Sequence, residues 1–139
     1  MSYEKLYNKW SEYMSKTNFK DLNVWQDAKK VAVDLYKLTN EGDLSRDFGL
    51  REQMRRAAVS IVSNIAEGND RETDKEFLRF LYMAKGSCAE LIAQLNIACD
   101  IGYINGEIMS DLENKLIKIS NMIGALIRTL CASIKKCPR

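Results

Sequence analysis

Two series of polar residues contain the side chains of this sequence that could do chemistry. The first is spaced by four, four and three residues, and the second by three and four. Residues three and four apart share one face of a helix, so each series forms a polar stripe. The first stripe consists of Arg56, Ser60, Asn64 and Glu67. The second consists of Ser87, Glu90 and Gln94. If their helices pack antiparallel, Glu67 and Glu90 could be paired carboxylates for acid–base catalysis or metal binding.

The alternative to an active site is a hydrogen-bonded seam between the two helices, with Arg56 paired to Glu90 or Glu67. A di-metal site in a bundle uses Glu-x-x-His pairs, and the sequence has no histidine. It also lacks a G-x-S-x-G elbow and a glycine-rich phosphate loop. We therefore predict no catalytic residue, no cofactor and no metal ligand. Because buried polar seams fix the register between helices, we expect a mostly buried, mutually hydrogen-bonded set. That set is Arg56, Asn64, Glu67 and Glu90.

The four cysteines do not form a zinc site either, since none belongs to a C-x-x-C pair. Cys88 and Cys99 lie on apolar helical faces, where cysteine behaves as a small hydrophobe. We expect the cysteines to be reduced core thiols, as in a cytosolic protein. Cys137, beside Pro138 near a frayed helix end, is the thiol that we expect to be reactive.

Length and composition are those of one globular domain. The 139 residues are 46% hydrophobic and 29% charged, which excludes a disordered chain and permits a sizeable core. The net charge of +2 is too small to indicate a nucleic-acid partner by itself. No apolar run approaches the ~20 residues that cross a bilayer, and the N-terminus lacks the apolar centre of a signal peptide. We expect a cytoplasmic location and no membrane partner.

Hydrophobic periodicity predicts four long helices that position the polar stripes. They cover approximately residues 24–38, 50–67, 73–102 and 107–134. The second should end in a left-handed cap at Gly68, and the third should begin with a capping box of Thr73 and Glu76. The third also repeats apolar residues in a heptad pattern. The fold class is therefore all-α, an antiparallel up-and-down four-helix bundle over residues 21–139.

Residues 1–20 form an extension before this bundle. Aromatic and apolar residues recur there at helical spacing and predict a short amphipathic helix. Such a helix is marginal in water by itself, so it should be packed on the bundle or held out for a partner.

Two of the predicted helices carry more apolar residues than one core face requires. A monomer rarely leaves so wide an apolar band in water. We therefore expect a closed cyclic homo-oligomer. The surplus residues are Leu78, Ile92 and Cys99 on the third helix, and Ile117, Ile127 and Ile134 on the fourth.

Several groups of basic residues lie on faces that should be solvated. Each group alone is ordinary surface charge, but in a ring the groups repeat with the symmetry and could attract phosphate. A protein partner is the main alternative. The groups are Lys29 and Lys30, Arg51 and Arg55, Lys115 and Lys118, and Lys135, Lys136 and Arg139.

Several long motifs in this order resemble the four-helix-bundle proteins encoded in intervening sequences of bacterial 23S rRNA genes. The resemblance covers roughly residues 22–104, and the fourth helix matches in pattern only. The motifs are L-x-V-W-x-x-A at 22–28, F-G-L-R-E-Q-M-R-R-A-A-V-S-I at 48–61, N-I-A-E-G at 64–68, E-F-L-R-F-L at 76–81 and A-K-G-S-x-x-E-L at 84–91.

The sequence also departs from the pattern of that family. The family usually has Phe-Pro and a glutamate before the second helix, where this chain has Asn-Glu-Gly-Asp-Leu and Arg46. Val62 stands where the family often has a proline, so the second helix should run straighter. The N-terminal helix is an addition to the pattern.

The resemblance implies a small, non-enzymatic cytoplasmic protein that assembles as a homopentamer. A related bundle is the accessory protein of diversity-generating retroelements, which binds a reverse transcriptase and nucleic acid through a basic surface. We therefore expect an oligomeric scaffold that binds RNA or an RNA-handling partner. The alternative is an accessory subunit of a diversity-generating retroelement that binds reverse transcriptase and RNA or DNA.

Overall fold

The computed structural model describes residues 2–16 and 18–134, without the side chains of residues 10, 11 and 13–16. The helices are α1 (Tyr3–Lys16), α2 (Asn23–Leu38), α3 (Phe48–Asn69), α4 (Asp74–Ile101) and α5 (Gly106–Cys131). Short 3₁₀ turns, Phe19–Asp21 and Asp43–Arg46, precede α2 and α3. The described residues contain no strand, so the predicted all-α class is confirmed. None of the described helices is both long and apolar enough to cross a membrane.

Helix α4 shows how the local sequence sets the ends of a helix. The Thr73 hydroxyl accepts the backbone N–H of Glu76 at 3.2 Å, which is one half of the predicted capping box. The Glu76 carboxylate, the acceptor of the other half, instead pairs with Arg79 at 3.0 Å. At the other end Gly102 adopts a φ of 95°, a left-handed conformation that glycine takes without strain. Between these caps, all the apolar residues that repeat by four and three from Phe77 to Ala98 are buried, as the heptad pattern predicts: Phe77, Leu81, Ala84, Cys88, Leu91, Leu95 and Ala98.

Helices α2 to α5 pack around a single core to which all four contribute. Arg55 near the start of α3 donates to Thr39 at the end of α2, so these helices run antiparallel. Gly68 near the end of α3 lies against Phe80 at the start of α4, which makes this pair antiparallel as well. Helix α5 contacts both α4 and α2 and closes the bundle.

Most of the apolar residues that exceed one core face are nevertheless buried or partly buried within the chain. Leu78 and Ile127 are buried, and Ile92, Cys99 and Ile134 pack against the core. Ile117 is the exception, with 44% of its surface exposed. The prediction of a wide exposed band from these residues is therefore wrong. The physical reason is that α4 contacts α3 and α5, and α5 contacts α4, α2 and α1, so each buries a face wider than one heptad seam.

Gly68 is not a left-handed cap, which corrects the prediction for this residue. Helix α3 continues through it to Asn69, and the only described residues with positive φ are Gly42 and Gly102. Gly68 is instead buried against Phe80 and Phe77. Helix α3 is continuous from Phe48 to Asn69 and passes through Val62.

Helix α1 lies on the bundle and contacts α5. Tyr7 is half-buried and packs against the core, whereas Tyr3 and Leu6 on the same helix are exposed. The aromatic face of the N-terminal extension is therefore only partly covered within one chain.

The cysteines differ in environment. Cys88 is fully buried, and burial raises its thiol pKa to about 12, so it acts as a small core hydrophobe. Cys88 and Cys99 are free thiols. Cys131, at the partly exposed last turn of α5, is disulfide-bonded, so the expectation of reduced thiols is wrong there. Cys137 lies outside the described residues.

Candidate polar seam and nucleic-acid surface

Only the middle of the predicted polar seam forms. The Asn64 amide donates to the backbone oxygen of Ser60 at 2.8 Å and to its hydroxyl at 2.9 Å. The Ser87 hydroxyl of α4 lies 2.9 Å from the Ser60 hydroxyl of α3 and 3.1 Å from the Met83 carbonyl oxygen. Asn64 and Ser87 are each only 8% exposed. These three residues link α3 to α4 and satisfy one another, as buried polar groups must.

The charged members of the two stripes lie outside this cluster. Arg56, Glu67 and Glu90 are exposed, so the prediction of a buried charged seam is wrong for all three. Glu67 pairs with Arg71 at 2.6 Å, and Glu90 accepts the Gln94 amide at 3.3 Å. Burying an ion costs several kcal/mol, and long side chains at the edge of an interface avoid that cost by reaching water.

The two carboxylates that an active site would have needed as a pair are far apart. Because Ser60 touches Ser87 and the helices are antiparallel, Glu67 and Glu90 are displaced in opposite directions from that contact. Ten residues of helix separate them along the bundle, which is about 15 Å. They cannot share a proton or a metal ion. Among the residues that the structure describes, no group of three or more potential ligands could hold a metal ion.

Two of the four predicted basic groups come together on the surface. Lys30 of α2 faces Lys115 and Lys118 of α5 across a groove of about 350 Å³ that also contains Asp27 and Asp34. Lys118 lies 3.7 Å from Asp27, and Lys115 lies 3.0 Å from Asp111 and 3.8 Å from Asp34. Hydrogen bonding to Asp111 raises the pKa of Lys115, so its ammonium group stays charged.

A second groove adjoins the first and shares Lys30. We call it the Trp25 groove. Its volume is about 600 Å³, and its lining is Lys20, Trp25, Gln26, Lys29, Lys30, Val33 and Asp34. The Lys29 ammonium lies 5.5 Å from the centre of the Trp25 ring. Together the two grooves form a continuous lysine surface, defined by Lys20, Lys29, Lys30, Lys115 and Lys118.

Helical spacing alone does not identify Lys20 and Trp25 as residues of this surface. Lys20 lies in a 3₁₀ turn before α2, where helical spacing gives no position. Its carbonyl oxygen accepts the Gln26 side-chain amide at 2.8 Å, which folds the turn back onto the helix. The signal in the sequence is an aromatic residue among three lysines within the eleven residues 20–30, a combination typical of nucleic-acid sites.

The other predicted basic residues do not join this surface. Arg55 donates to the buried Thr39 hydroxyl at 2.8 Å and stacks on the ring of Tyr36. Arg51 donates to the Ser45 carbonyl oxygen at 2.8 Å. Both arginines stabilise the connection between α2 and α3. Lys135, Lys136 and Arg139 lie outside the described residues.

Comparison with known proteins identifies the family. The sequence model for proteins described as 23S rRNA-intervening sequence protein matches residues 20–125. The chain belongs to this family. No curated protein matches the sequence.

The fold of this 23S rRNA-intervening sequence family member also occurs in a solved structure. That structure is a protein of unknown function from the S23 ribosomal protein family of Bacteroides thetaiotaomicron. The two chains are 22% identical with a TM-score of 0.70, and the match covers 76% of this chain and 98% of the other. At this identity the likeness shows the fold alone.

The family match ends before the last turns of α5 and excludes α1. It includes the Ser60–Asn64–Ser87 cluster, the close contact at Gly68 and all five residues of the lysine surface. The features that this 23S rRNA-intervening sequence protein could use for packing and for binding therefore lie within the family segment.

Proposed function

We propose that the chain is a non-enzymatic module that binds RNA through the lysine surface and works as a homo-oligomer in the cytoplasm. The observation that carries this proposal is the excess of positive charge on one contiguous surface. Five lysines there face three carboxylates, those of Asp27, Asp34 and Asp111. Lys115 and Lys118 pair with these carboxylates, which leaves Lys20, Lys29 and Lys30 as the excess. The family description, which refers to 23S rRNA, makes RNA the first nucleic acid to test.

The absence of a catalytic role is part of the proposal. Glu67 and Glu90 were the strongest candidates for acid–base work, and their separation removes the shared site that the reaction would need. The alternative role, an accessory subunit of a diversity-generating retroelement, would use the same lysine surface. A reverse transcriptase gene beside this one would favour that role over an rRNA-associated one.

Assembly is supported by apolar residues on the outside of α4. Met83, Ile97 and Ile101 are between 48% and 55% exposed, and Gly86, Ala89 and Ala93 between them are also exposed. We call these six residues the outer α4 stripe. Apolar surface of this extent is typical of an interface, and the family resemblance suggests a pentamer. In a ring, the lysine surface of each chain would repeat and strengthen the attraction of phosphate.

The test of RNA binding is a filter-binding titration with a structured RNA hairpin over a salt series. We expect multivalent binding that weakens steeply with salt, because neutralised phosphates release counterions. Lys29→Glu combined with Lys30→Glu should weaken it and lower the log–log salt slope by about 2. Lys37→Glu with Lys75→Glu is the matched control, since both lysines are exposed and lie outside the lysine surface. No retention by the parent protein at low salt, or equal effects of the two double variants, would overturn the proposal.

A further inference from the structure

Trp25 is placed differently from an ordinary core tryptophan. It lies near the start of α2, where its ring packs edge-on against Phe19 with 5.0 Å between ring centres. The ring is only partly buried and forms part of the wall of the Trp25 groove. Its indole N–H is buried without an acceptor among the residues that the structure describes.

The charges around this ring are unbalanced. Lys20, Lys29 and Lys30 surround the groove, and none of them takes part in a salt bridge with a described residue. Asp34 is the only carboxylate in the lining, and it lies 3.8 Å from Lys115 on the other side. Lys29 is held over the Trp25 ring by a cation–π contact, which is weak at an exposed site and easily exchanged.

Phosphate and an aromatic base are the two chemical groups that this arrangement complements. Free ammonium groups attract phosphodiesters, and an accessible indole face stacks with a nucleobase. The groove volume of about 600 Å³ falls within the range of about 300–1,000 Å³ that small-molecule sites occupy. A base within a duplex is stacked on its neighbours and cannot reach the ring, so the groove selects an unpaired nucleotide.

We infer that the Trp25 groove binds one unpaired nucleotide of a single-stranded RNA segment. The base stacks on Trp25 in place of the Lys29 ammonium, and the flanking phosphates contact Lys20, Lys29 and Lys30. This inference rests on the proposed RNA binding. It adds that the surface discriminates between unpaired nucleotides, which it binds, and duplex RNA.

Tryptophan fluorescence provides a direct test. The sequence has two tryptophans, so Trp10→Phe leaves Trp25 as the only indole. Titration of this variant with single-stranded oligouridylate should quench the fluorescence of Trp25. A blunt RNA duplex of the same total charge should bind more weakly and quench less. Equal binding of both RNAs with unchanged Trp25 fluorescence would overturn the inference.

Substitution at Trp25 separates stacking from charge. Trp25→Leu should weaken binding of the single strand about 5- to 150-fold, the usual loss for one stacked base. Trp25→Phe keeps an aromatic ring against Phe19 and should lose less than Trp25→Leu. Phe48→Leu is the control, since Phe48 is an exposed aromatic residue outside the groove. A folded Trp25→Leu that binds the single strand as tightly as Phe48→Leu would refute stacking on Trp25. If Trp25→Leu unfolds, the fluorescence titration of the Trp10→Phe variant decides, and unchanged Trp25 fluorescence at saturating single strand refutes stacking.

The outcomes also separate this inference from the proposed function. Binding that depends on Lys29 and Lys30 but shows no preference for single strands refutes the unpaired-nucleotide site and leaves RNA binding intact. No binding of either RNA by the parent protein at low salt refutes both.

Discussion

Gly68 sets the distance between the end of α3 and the start of α4. A Cβ atom at this position would lie 2.8 Å from the Cβ of Phe80 and 3.1 Å from Cδ1 of Phe77. Side-chain atoms in protein interiors do not pack this closely. The absence of a side chain at Gly68 therefore permits the two helices to approach at the turn that joins them.

We expect Gly68→Ala to lower the free energy of unfolding by about 1–3 kcal/mol, because overpacking forces the helices to shift. Gly106→Ala is the matched control, since no atom lies within 4 Å of a Cβ at this position in α5 and Gly106 is outside both proposed surfaces. There alanine should leave stability unchanged or raise it slightly through helix propensity. Urea denaturation followed by circular dichroism measures both changes. A Gly68→Ala protein as stable as Gly106→Ala would contradict this account.

Asn64 and Glu67 belong to the same polar stripe and should nevertheless differ in their effect on stability. Asn64→Ala removes the amide that bonds Ser60 within the α3–α4 contact, and should cost about 1–3 kcal/mol. Glu67→Ala should cost less than about 1 kcal/mol, because its pair with Arg71 is roughly half-exposed and surface pairs contribute little. The same denaturation experiment compares them. A larger loss of stability for Glu67→Ala than for Asn64→Ala would instead support a buried charged seam.

At the scale of elements, hydrogen bonds link the N-terminus of α3 to the segment that follows the C-terminus of α4. Asp47 caps α3 by accepting the Leu50 N–H at 3.1 Å, and its other carboxylate oxygen accepts the Tyr103 hydroxyl at 2.9 Å. This hydrogen bond with Asp47 raises the pKa of Tyr103, since it favours the protonated phenol. Asp47 thus links the segment before α3 to the segment between α4 and α5, which are distant in the sequence.

We expect Asp47→Ala to cost about 0.5–2 kcal/mol, the usual loss of an N-cap. Tyr103→Phe should destabilise the parent protein and have little effect in the Asp47→Ala background, because its partner is then gone. Since the folded protein holds the Tyr103 proton more tightly, the contribution of this bond is present below the unfolded pKa of 10.0 and declines as pH rises above it. A double-mutant cycle by thermal denaturation near neutral pH tests the coupling. Equal losses in both backgrounds would show that no such link exists.

The sequence predicted helices better than it predicted which polar groups are buried. The heptad of α4 follows from a repeated spacing that needs a packed face, so Phe77 to Ala98 could be placed as core. Spacing also aligned Arg56 with Asn64, yet only Asn64 is buried. Whether such a residue is buried depends on the length of its side chain and on its access to water. The helical period of the sequence gives no information about either. The bond from Arg55 to Thr39 likewise depends on how two helices meet.

At the scale of the whole molecule, the surfaces that we propose for binding and for assembly lie on different sides of the bundle. The lysine surface lies on α2 and α5, and the outer α4 stripe lies on α4. Helix α2 packs against α3 and α5, so α4 is diagonal to it. A second copy of the chain that covered α4 would therefore leave the Trp25 groove open.

Light scattering coupled to gel filtration tests the assembly. We expect the parent protein to have a mass that is a multiple of the chain mass of 15.9 kDa, with five chains favoured by the family resemblance. Ile97→Glu places a charge in the centre of the outer α4 stripe and should give monomers, because an unpaired buried charge costs several kcal/mol at each interface. Val33→Glu is the matched control, since Val33 on α2 is 45% exposed compared with 51% for Ile97. It should assemble as the parent does. A parent protein of 15.9 kDa at micromolar concentration would refute assembly, whereas an oligomer that survives Ile97→Glu would place the interface on another helix.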